Sequence, residues 1–389
     1  MLSSELIDDL ALLDALRDEW DDLALACALP AMGPDWIMAW WRHVAPPGAR
    51  SRAVAVRDDR RRLVGLAPFY VVPDKRGRID YRLPGAEFGG RLSPLSLAEH
   101  ERDVAAMIGS TLAQAQPRPD LIALEGLPAG SGWPAALRAG WPGRIRPVTR
   151  RYLVQGAPTL SLDAASFDAW LLSKSSNFRG QMRRLRRQFA ADGGIARIST
   201  PATLQADVEA FVDLHASRWE GLGERLGPSR IVAMRDRFAT MLEDAGSAMR
   251  DTDRFRLWVL ELDGKPISAQ LFVAANGEVA YVNGGWDEQF ARFKPAMLGI
   301  LYAIEDAFAR AETRIDLGGG EQPYKLRFAD GNDPISWNIL IVPGLRLPLT
   351  RLRTLPMFLG HALRDHLKRK LPAEHVDRLR TMQKRLRRR

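Results

Sequence analysis

Between residues 255 and 283 the sequence alternates short β-rich runs with two-residue turns. It reads FRLWVLEL over 255–262, a turn at Asp263-Gly264, a strand over 266–274, a turn at Asn276-Gly277 and a strand over 278–283. Asp-Gly and Asn-Gly supply the residues that tolerate the positive φ of tight hairpin turns. The segment therefore predicts a three-stranded antiparallel meander. A loop (GGWDEQFARFKP) follows, then a helix over 296–310 with Met297, Leu301, Ile304 and Phe308 on one face, then a strand over 313–317.

The first half is less sharply punctuated. Leu6, Leu10, Leu13, Leu16 and Trp20 recur at helical spacing, so the first thirty residues predict an amphipathic helix ended by Pro30 and Pro34. A Trp-rich helix is expected over 35–44, a hairpin over 53–57 and 63–72, loops over the Gly- and Pro-rich 73–94, a helix over 99–114 and a strand over 120–125. The density of Gly and Pro over 126–158 predicts a connection between domains. Helices are expected over 178–191 and 203–219. The strand, Asp-turn, strand plan from Ala53 is echoed from Leu257, a faint sign of duplication. The expected division is 1–157 with a helical leader, 158–343, and a tail over 344–389.

A chain of 389 residues, 46% hydrophobic and 26% charged, can bury a sizeable core, which excludes global disorder. Cys27 is the only cysteine, so an intramolecular disulfide is impossible. No apolar run reaches membrane-spanning length, and the acidic MLSSELIDDL start is unlike a secretory signal, so a cytosolic protein is expected. The net charge of +9 sits in the tail: residues 344–389 hold fourteen Lys or Arg against three acids, which leaves the rest of the chain at −2. Nucleic acid is therefore the least favoured partner of the body.

The loop before the 296–310 helix holds Arg292 and Lys294, and Pro295 opens the helix. A helix N-terminus offers unpaired N–H groups and partial positive charge, so this turn could hold phosphates; an ordinary helix start with exposed basic side chains is the other reading.

With these elements in place, the meander, the Arg-containing loop and the following helix resemble the acyl-CoA core of the GNAT acyltransferases. IDLGGGEQPYKLRFAD from Ile315, FRGQMRRLRRQF from Phe178 and WIMAWWRHV from Trp36 are similar to the CelD-like group, which is related to the FemAB peptidyl transferases. The resemblance covers roughly residues 35–342. It implies an α/β (α+β) chain of two tandem GNAT-like units with mixed, mainly antiparallel sheets, followed by the basic helical tail. It also implies acyl-CoA as co-substrate, gripped by Arg292, Lys294, Pro295, Ala296 and Met297. One departure stands out: Pro295 occupies a position where the GNAT loop has Gly, and Met297 one where it has a small residue.

Acyl transfer to an amine needs a base, a donor facing the developing oxyanion and a proton for the thiolate. The resemblance points to Glu321 as base, Lys325 as the charge stabiliser, Tyr324 as proton donor and Asp316 as the group that orients Lys325. The alternative is structural: Tyr324 as a packing residue, Lys325 and Glu321 as a surface ion pair. His215, Arg218 and Trp219 form an aromatic and basic patch on a helix, either lining the acceptor pocket or packing at an interface. His43, His100, His361, His366 and His375 lack metal-ligand spacing, so no metal is expected.

Two basic segments stay open. Arg179, Arg183, Arg184, Arg186 and Arg187 could bind nucleic-acid phosphate, could bind CoA or lipid phosphate, or could form a solvated face. In the tail, Leu355, Leu359, Leu363, Leu367 and Leu371 form a stripe beneath basic residues, suited either to an anionic membrane surface or to packing on the protein. The expected function is N-acyl transfer from acyl-CoA to a small-molecule or lipid amine, by a cytosolic enzyme peripheral to the inner face of the membrane. The rivals are FemAB-like transfer from aminoacyl-tRNA and a non-catalytic nucleic-acid or scaffold protein on the same fold.

Overall fold

The computed structural model describes residues 2–370 apart from 74–76, 89 and 227–232; the side chains of 73, 218–226, 357 and 360–370 also lie outside the description. The meander forms as its turns dictate. Strands Phe255–Leu262, Lys265–Ala275 and Glu278–Trp286 pair antiparallel, with Asp263, Gly264, Asn276 and Gly277 all at positive φ. Ile195–Ile198 adds to the outer edge. Helix Pro295–Ala309 carries the chain back so that Arg314–Asp316 pairs parallel with Glu278–Trp286, the crossover that parallel pairing requires. Pro158–Ser161 and Gly331–Asn332 complete a seven-stranded sheet.

The first half repeats this plan. Ser3–Ile7, Ala53–Arg57, Leu63–Ala67 and Leu95–Ser96 form one short sheet, and Arg50–Ser51, Tyr70–Pro73, Ile79–Arg82, Leu121–Pro128, Ile335–Ile341 and Val148–Gln155 form the next, in that order. Helix Glu101–Gln114 precedes Leu121–Pro128, which runs parallel to Ile79–Arg82. The two units exchange strands. Pro158–Ser161 follows the first unit in sequence but lies beside Arg314–Asp316, whereas Ile335–Ile341 follows the second unit but is hydrogen-bonded between Leu121–Pro128 and Val148–Gln155.

Three expectations of local structure are corrected. The first thirty residues are not one helix: Ser3–Ile7 is an edge strand paired with Ala53–Arg57, the Asp9 carboxylate caps a short helix Leu10–Asp14, and Arg17–Ala26 is a second helix. Leu6 and Ile7 fit helical spacing and strand alternation equally, and the partner strand decides. The 126–158 stretch holds helix Trp133–Gly140 and strand Val148–Gln155 rather than a bare connection. The 73–94 stretch contains strand Ile79–Arg82, the parallel partner of the first unit.

The units share a core. Trp36, Trp40, Phe88 and Val104 from the first half lie in one buried cluster with Phe211, Phe238, Leu257 and Leu271 from the second, with the Phe88 and Phe238 rings 4.6 Å apart. A separate cluster joins helices Ser176–Ala191 and Pro295–Ala309 to the other face of the seven-stranded sheet. Helix Leu347–Lys370 buries Thr350 and Thr354 and sets the Phe358 ring edge-on to Tyr152, while Leu349, Leu352, Leu355 and Leu359 stay exposed. The side chains of Leu363 and Leu367, and Leu371 entirely, lie outside the described residues.

Candidate active site

The parallel pair opens a gap. Glu278, Val279 and Ala280 face Arg314, Ile315 and Asp316, and pairing stops there while the longer strand continues to Trp286. A bulge at Val282, where Leu271 faces Asn283 but Phe272 faces Tyr281, bends that strand at the same level. The shorter strand turns away through Gly318, whose φ of 74° suits glycine. The two adjacent strands thus part beyond the Ala280–Asp316 pair.

The short helix Pro323–Leu326 fills the mouth of this gap. Lys325 is buried, its Nζ donating to the Gly319 carbonyl at 3.1 Å and standing 5.1 Å from the centre of the Tyr281 ring. Tyr324 is half-buried and edge-on to Trp286 at 6.4 Å. Glu321 is exposed and accepts from Asn332 Nδ2 at 3.0 Å. Asp316 is buried; its Oδ1 accepts from the Gly318 amide at 2.8 Å and its Oδ2 from Arg91 Nε at 3.0 Å. Asp316 therefore fixes the turn whose next carbonyl receives Lys325, and Arg91, from the first unit, fixes Asp316. Arg91 also lines a cavity of about 40 Å³ between the units, together with Trp36, Phe88, Tyr281, Asp316 and Gly318. Beside it, burial pushes the Glu278 carboxyl above its ordinary value while Arg314, bonded at 2.8 and 2.9 Å, pulls it back.

Tyr281 is anchored from below. Its hydroxyl donates to Gln270 Oε1 at 2.8 Å, and Gln270 Nε2 donates to Ser268 Oγ at 3.0 Å and to the Gly285 carbonyl at 3.3 Å. Gln270 and Ser268 are fully buried, so these bonds are what makes their burial tolerable. Gly284 and Gly299 leave the space: a Cβ on either would strike Gln270. On the opposite face of the strand, His215 is buried with Nδ1 3.4 Å from the Gly284 carbonyl and its ring against Phe211. The side chains of Arg218 and Trp219 lie outside the described residues.

The turn at 292–297 is built differently from a run of free amides. Lys294 adopts the left-handed conformation, and its carbonyl accepts from both Met297 and Leu298 N–H. Pro295 has no donor, so among the described residues the Ala296 amide is the first-turn donor with no protein acceptor. The side chains of Ala296 and Met297 are buried, whereas Arg292 and Lys294 are exposed, Arg292 pairing with Asp192 at 3.1 Å and lying over Phe293. Positive charge here comes from side chains. Helix Ser176–Ala191 adjoins through Phe189 against Phe293 at 5.7 Å, and its Arg183, Arg184 and Arg187 are exposed. Arg186 instead binds Glu305 at 2.9 Å, and Arg179 binds the carbonyls of Leu172 and Lys174.

Sequence reasoning missed Arg91, Tyr281, Gln270 and Ser268. A glutamine and a serine inside the apolar run ISAQLFVAA were a usable signal, since a polar residue facing a core must find partners. Nothing local marks Arg91, whose partner lies 225 residues away. Among the described residues no group of three or more His, Cys, Asp and Glu is placed to hold a metal ion.

An antiparallel meander, a basic turn into a helix and a splayed parallel pair with polar groups at its mouth together define an acyltransferase domain of GNAT type. The sequence comparison agrees: residues 176–326 match the acetyltransferase (GNAT) domain model. Residues 176–326 are therefore similar in sequence to the acetyltransferases of GNAT type. Among solved structures it is similar to FemX, with a TM-score of 0.59 at 14% identity over 90% of this chain and 99% of that one. It is similar also to a conserved protein of unknown function from Bacteroides thetaiotaomicron, with 0.53 at 11% over 88% and 100%. A third similarity is to the C-terminal domain of a putative lysylphosphatidylglycerol synthetase from Agrobacterium fabrum, with 0.50 at 9% over 84% and 91%. At these identities the likeness is one of fold. No relative among the curated proteins matches the sequence.

Proposed function

We propose that the protein is a CelD-like N-acyltransferase that moves an acyl group from acyl-CoA to a primary amine of a lipid, an amino sugar or another cell-envelope precursor. The observation that carries this reading is the Lys325 ammonium, buried at the mouth of the splayed strands and held by Gly319 over Tyr281. In the proposed reaction the amine nitrogen attacks the thioester carbonyl carbon, and the oxygen gains negative charge beside Lys325. Glu321 takes the amine proton through water, and collapse of the intermediate expels the CoA thiolate, which takes its proton from Tyr324. Asp316 acts through the Gly318-Gly319 turn to hold Lys325 in place. Arg292, Lys294 and the Ala296 amide grip the diphosphate, next to the buried Pro295 and Met297, and His215 backs the acceptor side.

A second reading, transfer of an aminoacyl group from tRNA, is favoured by one observation: the turn offers a single first-turn amide, and the exposed Arg183, Arg184 and Arg187 beside it would suit a longer phosphate chain. The lipid-acceptor form of the first reading is supported by the exposed Leu349, Leu352, Leu355 and Leu359 at the start of the basic tail, which would seat the enzyme on the inner, anionic membrane surface. Among the described residues no helix is long and apolar enough to cross a membrane. The test is transfer of a labelled acyl group from acyl-CoA to a panel of lipid amines, amino sugars and amino acids, with and without anionic vesicles. Labelled amide product supports the reading; product from aminoacyl-tRNA alone would replace it with the second.

A further inference from the structure

A groove with polar lining lies in the first unit, and none of its lining residues belongs to the acyl-transfer site. Helix Trp133–Gly140 stands over the face of strands Ile335–Ile341 and Val148–Gln155, and between them is a groove of about 440 Å³, within the range of small-ligand sites. Its floor is polar: Ser336 and Asn338 are buried, Asn338 donating to Ser336 Oγ at 2.9 Å and Ser336 to the Leu127 carbonyl at 3.3 Å. Thr149 Oγ1 is buried beside them with no protein partner. A buried hydroxyl left unpaired costs roughly 1–3 kcal/mol in general, and a turn of the Thr149 side chain toward the groove it lines would let a ligand complete it.

The walls are cationic. Arg138 and Arg151 line the groove, and no carboxylate does. Arg138 donates Nε to the Pro147 carbonyl at 3.0 Å, and Arg151 lies 3.4 Å from the Ala129 carbonyl; among the described residues neither has an acidic partner. The surrounding sequence over 138–151 holds five arginines and no acid. The floor offers hydroxyl and amide groups, the walls offer two guanidinium forks, and guanidinium matches tetrahedral oxyanions by paired N–H donors.

We propose that this groove is a phosphate-binding site, distinct from the acyl-transfer site, taking the phosphate of a small phosphorylated metabolite or of a phospholipid headgroup. Arg138 and Arg151 supply charge, and Thr149 and Asn338 hydrogen-bond the phosphate oxygens. The site does not depend on the acyl-transfer reading, because its residues belong to the first unit and to the strand that the second unit lends it.

The test is calorimetric titration of the full chain with inorganic phosphate at constant ionic strength. One site is expected in the wild type, weakened by about tenfold or more in Arg138→Ala/Arg151→Ala. Thr149→Val, which keeps shape and charge, should weaken it by about threefold or more while leaving the melting curve near that of the wild type. Titration with glycerol phosphate and flotation with phosphatidylglycerol vesicles separate the sources: loss of vesicle binding in the double variant assigns a headgroup, and loss of glycerol phosphate binding alone assigns a soluble ligand. Phosphate binding unchanged in both folded variants, or no phosphate binding by the wild type, would overturn the proposal.

Discussion

Arg91 Nε lies 3.0 Å from Asp316 Oδ2, joining the first unit to the strand end beside the splay. Asp316 in turn accepts from the Gly318 amide, and Gly319 accepts from Lys325 Nζ. The first unit thus reaches the lysine through three short contacts. Arg91→Ala is expected to lower kcat by about tenfold to a hundredfold, since a misplaced catalytic group costs on that order. Arg91→Lys should recover part of the loss. Steady-state kinetics check this, and wild-type kcat in a folded Arg91→Ala variant would show that the contact only joins the units.

Lys325→Ala should lower kcat by about a hundredfold to a thousandfold, the usual effect of removing an oxyanion donor, with the KM for acyl-CoA changed by less than about threefold. A change in KM alone would make Lys325 a binding residue. Lys325→Arg should not restore the rate, because the buried space over Tyr281 suits a compact ammonium better than a planar guanidinium.

Gln270→Leu removes the acceptor of the Tyr281 hydroxyl and the donor to Ser268 within a fully buried cluster. The expected loss of stability is about 1–3 kcal/mol, read from chemical denaturation. Because Tyr281 floors the Lys325 site, kcat should fall with it, and a stable variant with full activity would separate the cluster from the site.

Asp207 is buried and receives two 2.7 Å bonds from Arg197. Burial works to raise its carboxyl, but the bonds from Arg197 outweigh that and hold it below the ordinary 3.8. A depressed folded value means the charged form is favoured by folding, so this contribution is fully present above about pH 4 and is lost as pH falls through the folded value. Asp207→Asn should destabilise the protein by about 1–3 kcal/mol at pH 7 and flatten the acid limb of the stability curve, since Arg197 keeps Glu261 as a partner. An unchanged acid limb would place the acid sensitivity in another carboxylate.

The second unit was legible because its information is local. Asp263-Gly264 and Asn276-Gly277 state their turns in two residues each, and Met297, Leu301 and Ile304 state their helix face. The helix Ser176–Ala191 buries Phe178, Met182, Leu185 and Phe189, the apolar stripe read from spacing. The exchange of Pro158–Ser161 and Ile335–Ile341 was not legible, because a strand's partner is a property of the sheet it joins and leaves no mark on its own alternation. The same reason hid strand Ser3–Ile7 within an apparent helix. At the site, the YKLRFAD stretch pointed to Tyr324 and Lys325, but their supports Arg91 and Tyr281 are neighbours only in space.

The most direct test of the proposed donor is calorimetric titration of the full chain with acetyl-CoA, repeated on Arg292→Ala/Lys294→Ala. The proposal predicts binding by the wild type at one site, weakened by about tenfold or more when both side chains are removed, because charge at this turn comes from them rather than from a row of amides. Equal affinity in both proteins, or no binding by either while aminoacyl-tRNA binds, would contradict it.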